Sequence, residues 1–431
     1  MSFSLGIRRE DKNKWERRVP IIPKHIIELK DKHDIETIIQ PSKIRIFTDS
    51  DYKNAGARVK EKISAQVVFA VKEIPLDFFE PGKTYMFFSH TIKGQKYNMP
   101  MLKKMMELGC NLIDYEKISD EKGRRLIFFG KYAGYAGMID TLWAYGQRMK
   151  CKGINSPISE IKRTIDYKNL DETKNHLKKI GEKIKKEGIS ESITPLVVGF
   201  AGYGNVSMGA QEILDILPVK EIATKEINTI QKNFSNKLIY KVIFKEEDIV
   251  EPITEDKKFD LQNYYNNPHL YKSIFHNYLD YLSILMNCIY WSNKYPRLIT
   301  KEFVKKNYSN QFKLQLIGDI SVDINGAIEF TDKATTPDNP VFVYNPISED
   351  IIDGYKGDGI AVIAVDNLPC ELPKESSIEF SNSLMSFIPF IVTADFSVDF
   401  EMLNLPPEIK KAVILYQGKL TPDYSYINKF L

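Results

Sequence analysis

Two side chains that can exchange protons near neutral pH each follow a short apolar run. Lys72 comes directly after Val67-Val68-Phe69-Ala70-Val71, and His90 comes after Tyr85-Met86-Phe87-Phe88-Ser89. Imidazole titrates near neutrality without help, and a lysine partly removed from water has its pKa lowered towards that range. Taken singly, each is more often a surface charge or a hydrogen-bonded structural group. Taken together at the ends of two apolar runs, they can divide the acid and base work of one reaction. A third stretch carries different chemistry. Leu196-Val197-Val198-Gly199-Phe200 leads into Gly202-Tyr203-Gly204-Asn205-Val206-Ser207, and Val206, Ala210, Ile213, Leu214 and Leu217 then recur at helical spacing. Glycines at Gly202 and Gly204 let backbone amides approach a pyrophosphate at the positive end of the helix. Ser207 stands where the third glycine of the dinucleotide fingerprint belongs, so the turn by itself fits a plain strand-to-helix connection almost as well.

The elements that must position these residues alternate. Ser4–Ile7, Thr37–Ile39, Gln66–Val71 and Tyr85–Phe88 read as strands, with a helical pattern over Pro23–Leu29. Such alternation predicts parallel strands with crossover helices, a sheet covered on both faces. Ligands of open α/β sheets bind outside the carboxyl ends of the strands, where polar residues collect here: Lys72-Glu73, Ser89-His90, Asp114-Tyr115-Glu116, Asp319 after Leu314–Ile317, and Asp366 after Ile360–Val365. Arg8-Arg9 and Arg17-Arg18 could clamp carboxylates by paired hydrogen bonds, or equally form a solvated charged loop. The small residues of Gly130–Met138 precede an apolar helix over Ile139–Met149, which reads as a bridge between two domains, its glycines serving close packing or hinge motion. A segment over about 224–280 reads as an elaboration with a strand at Leu238–Ile243.

With 431 residues, two domains are expected. The 60 basic against 57 acidic residues ask for neither nucleic acid nor an anionic membrane. Lys174–Lys186 is the solvated face of a helix whose other face carries Leu177, Ile180 and Ile184. Cys110, Cys151, Cys288 and Cys370 have no zinc-site spacing, and no apolar run reaches membrane-span length, so a reduced, cytoplasmic compartment is expected without metal or membrane.

The chain resembles the lysine-ketoglutarate reductase part of α-aminoadipic semialdehyde synthase and, more distantly, the saccharopine and alanine dehydrogenases. The likeness rests on Arg8-Arg9-Glu10-Asp11-Lys12-Asn13, Trp15-Glu16-Arg17-Arg18, Val71-Lys72-Glu73, Phe87-Phe88-Ser89-His90-Thr91-Ile92-Lys93, Ile113-Asp114-Tyr115-Glu116-Lys117, Gly130-Lys131-Tyr132-Ala133-Gly134, Gly204-Asn205-Val206-Ser207, Gly209-Ala210-Gln211-Glu212-Ile213, Ile289-Tyr290-Trp291 and Asp366-Asn367-Leu368-Pro369. The reductase branch resembles this chain at Ser207 too.

The resemblance implies two Rossmann-like α/β domains with parallel sheets separated by an active-site cleft. Residues 1–138 with 366–431 would form the substrate domain, and 139–365 the dinucleotide domain. It implies condensation of L-lysine with 2-oxoglutarate and reduction of the imine to saccharopine, which a separate saccharopine dehydrogenase would consume. In that mechanism Lys72 and His90 match the acid and base pair, and Arg18 matches a substrate-carboxylate ligand. Glu16, Glu73, Lys93 and Glu116 match the residues around the substrates. Asp366 matches the residue beside the nicotinamide, with Gly202, Gly204, Asn205, Val206, Ser207 and Asp319 on the cofactor side. The reductase branch resembles an NADPH user. Glu221 and Glu226 lie at the spacing that would favour the free ribose of NADH, and Lys220 and Lys225 beside them could receive a 2′-phosphate. Two rival readings are an NAD-linked, lysine-forming saccharopine dehydrogenase and a regulator that binds metabolites without catalysis.

Overall fold

The computed structural model describes residues 3–309 and 312–431. The chain divides into two compact units, one running to Phe129 and taking in Pro373–Leu431, the other Gly130–Leu372. The divisions therefore fall at Phe129/Gly130 and Leu372/Pro373, where the sequence reading put 138/139 and 365/366.

In the first unit, strands β1 (Phe3–Ile7), β2 (Ile35–Ile39), β3 (Arg58–Val59), β4 (Val67–Phe69), β5 (Thr84–Phe87) and β6 (Asn111–Asp114) lie side by side in the order β3-β2-β1-β4-β5-β6. All of these pairings are parallel. Val67-Val68-Phe69 is buried throughout, as a strand covered on both faces requires. The helix Pro23–His33 opens on a proline whose missing N–H costs nothing at that position and closes at Asp34, in left-handed backbone with φ 53°. Strand order reverses between β1 and β4. The segments leaving those two strands, Arg8-Arg9-Glu10 and Lys72-Glu73, therefore flank the crevice where such sheets take their ligands.

The second unit holds β7 (Leu196–Ala201), β8 (Val219–Glu221), β9 (Ile239–Phe244), a two-stranded ribbon of β10 (Val250–Pro252) with β11 (Tyr271–Ser273), then β12 (Ile284–Asn287), β13 (Leu316–Asp319), β14 (Val341–Tyr344), β15 (Ile351–Asp353) and β16 (Ile360–Ile363). Apart from the ribbon, these form an eight-stranded sheet in the order β15-β14-β16-β13-β12-β7-β9-β8. Only β14 and β15 run antiparallel to their neighbours. The chain leaves β7 for the outer edge at β8 and returns to lay β9 directly beside β7. At its end it joins β17 (Val413–Tyr416) and β18 (Lys419–Leu420) antiparallel onto β6, making the first sheet eight-stranded as well.

The segment read as a bridging helix is different in the structure. Gly130–Cys151 is one continuous helix inside the second unit, crossing the helix Asn205–Leu214. A Cβ added at Gly134 would overlap the carbonyl oxygen of Val206 and stand 2.7 Å from the amide nitrogen of Ala210; one at Gly209 would overlap the Lys131 carbonyl. These glycines are a packing device, two backbones meeting where neither side chain fits. Among the described residues, no helix is long and apolar enough to cross a membrane, and no group of three or more His, Cys, Asp or Glu could hold a metal.

Asp140 on the long helix and Glu371 on the turn Leu368–Glu371 are buried together, with Thr164 N–H donating to Asp140 Oδ1 at 2.7 Å. Burial raises both pKa values, and the charge of Asp140 raises that of Glu371 further. The folded protein therefore holds protons that the unfolded chain releases near pH 4. The stability these groups contribute is complete below that pH and is lost as pH rises through their raised values. Glu371→Gln, which keeps a donor without the charge, should flatten the fall of Tm as pH rises above about 4. Parallel melting curves for the variant and the unaltered protein would show the pair to be silent.

Candidate active site

Lys72 and His90 lie just beyond the carboxyl ends of the adjacent strands β4 and β5. Burial lowers the pKa of Lys72, the nearby Arg18 cation lowers it further, and Glu16 and Glu73 oppose that. His90 occupies left-handed backbone, φ 48°, a costly conformation for a non-glycine residue. It is held there by Asn98, whose Nδ2 donates to the carbonyls of Ser89 at 3.0 Å and His90 at 3.2 Å. Ser89 in turn binds Asp114 through its amide, at 3.0 Å, and its hydroxyl.

Glu73 is the pivot of this end of the sheet. One carboxylate oxygen accepts from Lys12 Nζ at 2.8 Å and the other meets His90 Nδ1 at 2.7 Å. Burial alone would raise its pKa, but the hydrogen bonds and charges of His90 and Lys12 outweigh burial and hold it well below the usual carboxylate range. A carboxylate only accepts, so Nδ1 carries the hydrogen, and Nε2 is left as the exchanging atom. A pocket of ≈ 500 Å³ lined by Asp11, Lys12, Glu73, Ile74, Pro75, Tyr97 and Asn98 opens beside this line of charge.

Glu16 and Arg18 form a buried pair, Nε–Oε1 2.8 Å and Nη2–Oε2 2.5 Å, with the guanidinium 4.2 Å from the centre of the Phe129 ring. The other candidate clamps are engaged by the protein: Arg9 pairs with Glu61 at 2.6 Å, Arg17 donates to the Ile44 carbonyl, and Arg8 binds Asp11. Glu116 is half-buried after β6, its amide bound to Asp114 Oδ1 at 2.8 Å. Lys93 is exposed three residues beyond His90. The structure thus gathers Lys72, Glu73, His90, Glu16 and Arg18 at one end of the first sheet, with Lys93 on the surface.

In the second unit Gly202 takes φ 92°, and a Cβ there would stand 3.0 Å from Ile289 Cγ2. Among the described residues, nothing lies within 4 Å of a Cβ at Gly204. The helix beginning at Asn205 has no side-chain cap, so its first amides point into the turn, which fits a dinucleotide pyrophosphate. Ser207 is buried and accepts from Gln211 at 3.0 Å, while Val206 is only half-buried. The close-approach role of the fingerprint's last glycine is taken two residues later by Gly209.

Asp319 accepts from Asn287 at 2.8 Å and Thr331 at 2.6 Å, and burial pushes its carboxyl up to about 6. It ties β12 to β13, while Asp366 is exposed beyond β16. The expected ribose acids also have other work: Glu221 pairs with Lys241 at 3.1 Å, and Glu226 accepts from its own turn at Ala223.

The acid at the carboxyl end of the strand beside β7 is Glu246, following β9. It accepts from the hydroxyls of Tyr203 in the glycine turn, at 3.2 Å, and of Tyr265 at 2.6 Å. Counting about twenty residues from the turn finds β8, which lies at the edge; the return of the chain to β9 puts the equivalent position later.

The family model described as "Alanine dehydrogenase/PNT, N-terminal domain" matches residues 6–136, and the one described as "Alanine dehydrogenase/PNT, C-terminal domain" matches 288–423. The chain belongs to the alanine dehydrogenase/PNT family, a family of pyridine-nucleotide-dependent dehydrogenases.

Within that family it is 37% identical to an alpha-aminoadipic semialdehyde synthase of Arabidopsis thaliana over 98% of its own length, and 34% identical to the mitochondrial one of Mus musculus over 99%. It spans 41% and 47% of those proteins. A saccharopine dehydrogenase [NAD(+), L-lysine-forming] of Emericella nidulans is 27% identical over 81% of this chain and 82% of that one. A solved L-alanine dehydrogenase superposes with a TM-score of 0.63 over 99% of both chains at 15% identity, a likeness of fold.

Proposed function

We propose that the chain is a lysine-ketoglutarate reductase, condensing the ε-amine of L-lysine with the keto carbon of 2-oxoglutarate and reducing the imine to saccharopine, a step of lysine degradation. The observation that carries the reading is the desolvated Lys72 on one strand end beside His90, fixed through Nδ1 by Glu73, on the next. The reaction needs that division of labour. The ε-ammonium must lose a proton before it attacks, and the carbinolamine must lose one from nitrogen while its hydroxyl leaves as water. An amine with a lowered pKa takes the first, and Nε2 of His90 delivers to and recovers from the oxygen. The mixed charge of Arg18, Glu16, Lys12 and Glu73 suits substrates that carry both carboxylates and amines. Gly202, Gly204 and the amides from Asn205 onward would hold the coenzyme, whose nicotinamide supplies hydride.

The resemblance points to NADPH as coenzyme. A specific observation favours NADH as the second reading: Glu246, at the carboxyl end of the strand beside the glycine turn, suits a free 2′-hydroxyl and repels a 2′-phosphate. Fluorescence titration decides between them. Glu246→Gln should shift the ratio of NADPH to NADH affinity by about tenfold towards NADPH, about 1.4 kcal/mol for a charge interaction weakened by solvent and salt; an unmoved ratio removes Glu246 from coenzyme choice.

For the reaction, consumption of reduced nucleotide that requires lysine and 2-oxoglutarate together supports the reductase. Turnover confined to saccharopine with NAD+ supports the lysine-forming dehydrogenase instead.

A further inference from the structure

Glu10 is a buried carboxyl that none of the chemistry above uses. It lies three residues beyond β1, on one side of the point where strand order reverses in the first sheet, and Lys72 lies beyond β4 on the other side. The Glu10 side chain crosses that gap. Oε1 accepts the amide of Val71 at 2.7 Å and Oε2 accepts the amide of Lys72 at 3.0 Å, one oxygen to each of two successive N–H groups. The switch point is where a sheet's two halves part and no strand ladder holds the departing chains together. There, one carboxylate binds both amides of the backbone that carries the reactive amine, while the Val71 carbonyl accepts from the Phe88 amide at 3.1 Å.

We propose that Glu10 is a positioning residue for Lys72: it holds the amine in place through the amides of Val71 and Lys72, and the setting lasts only while both hydrogen bonds are made. The proposal rests on the reading of Lys72 as the proton carrier.

The groups around Glu10 make this hold conditional. Burial raises its carboxyl, Glu16 raises it further, the two amides and Arg8 lower it, and the result is about 7. On β1's own exit, Arg8 is turned to Asp11 and the Arg9 carbonyl, with its guanidinium 5.1 Å from the Phe78 ring centre. Beyond β6, Tyr115 has a buried hydroxyl with no hydrogen-bond partner among the described residues, and the charge of Glu10 opposes its ionisation. Beyond β4, Lys72 itself faces Arg18, Glu16, Lys12 and Glu73. An ionised Glu10 satisfies both amides. A protonated one loses the negative charge that strengthens both bonds, and its hydroxyl oxygen is the poorer acceptor, so the hold on at least one of the two amides weakens. The affinity of the folded site for that proton thus loosens Lys72 as pH falls through about 7.

The test uses the full chain. Amide hydrogen exchange at Val71 and Lys72, followed from pH 5.5 to 8.5 and corrected for intrinsic rates, should show protection that falls below about pH 7. Flat protection across the range overturns the proposal. Glu10→Gln, isosteric but with one acceptor, should show the low-pH exchange rate at every pH. It should change the rate of acetic anhydride labelling of Lys72, read by mass spectrometry, by about fivefold or more, and lower kcat by about 10- to 100-fold with KM little changed. Unchanged labelling and kcat in a folded variant also overturn it. If the variant does not fold, exchange on the unaltered protein still decides. Exchange and labelling need no substrate, so failure of the reductase reading, seen as an unaltered protein inactive on lysine and 2-oxoglutarate, is distinguished from failure of this one.

Discussion

Lys72→Met is expected to lower turnover by about two to four orders of magnitude while leaving nucleotide affinity within about twofold, because general acid–base assistance is worth that much and Met can carry no proton. The physical case starts from burial. An ammonium taken out of water next to Arg18 is costly, and the pKa of Lys72 is lowered for that reason. Methionine keeps the length and apolar stem of the side chain and removes the charge, so the variant should melt at or above the temperature of the unaltered protein. This separates loss of chemistry from loss of fold. Its backbone amide still donates to Glu10, so the local chain path is retained. His90→Phe should cost a similar factor, removing one of the hydrogen bonds to Glu73 and leaving that from Lys12. Initial rates with both substrates, melting curves and nucleotide titrations read the three quantities. Rates within threefold of the unaltered enzyme in both variants would take the pair out of the reaction.

The parts of this site legible in the sequence are those set by strand ends. Val67–Phe69 and Thr84–Phe87 are buried on both faces, so their apolar runs are unbroken, and the polar residues that follow stand out. Lys72 and His90 were visible for that reason, and so was the turn at Gly202. What the sequence could not show is how side chains pair. Glu73 between Lys12 and His90, and Glu16 against Arg18, join residues whose spacing follows no periodic rule. In the sequence Glu10 is one member of a charged run, and burial alone distinguishes it from Asp11 beside it. An acid at a strand end looks alike in the sequence whether it faces a ligand or, as Asp319 does, accepts from Asn287 and Thr331. Glu246 was missed because β8 comes before β9 in the chain but outside it in the sheet, an order set by long-range pairing. The strands β14, β15 and β17 went unread as well. They are short additions to sheet edges, and Ile351–Asp353 is largely exposed, so it carries little hydrophobic signal.

Gly134→Ala should damage the second unit severely for a single added methyl. The new Cβ would overlap the Val206 carbonyl oxygen and sit 2.7 Å from the Ala210 nitrogen, and both are backbone atoms of a helix that cannot rotate away as a side chain could. In an exposed helix the same change would be favourable by about 1 kcal/mol through propensity. Here the overlap must be relieved by moving the helices Gly130–Cys151 and Asn205–Leu214 apart, and overpacking of this kind costs about 1–3 kcal/mol or more. For a unit of this size that corresponds to a fall in Tm of roughly 2–4 °C for each kcal/mol. The displaced element is the helix whose first amides form the glycine turn, so nucleotide affinity should fall with stability, by about tenfold or more. Gly153→Ala, at a glycine with open space around its Cβ position but φ 78°, supplies the control for backbone strain alone. It should lower Tm modestly without touching nucleotide affinity. Equal losses of affinity in the two variants would mean that general loosening, rather than the contact at Gly134, sets the geometry of the turn. A Gly134→Ala protein with unaltered Tm and affinity would show that the two helices have room to separate.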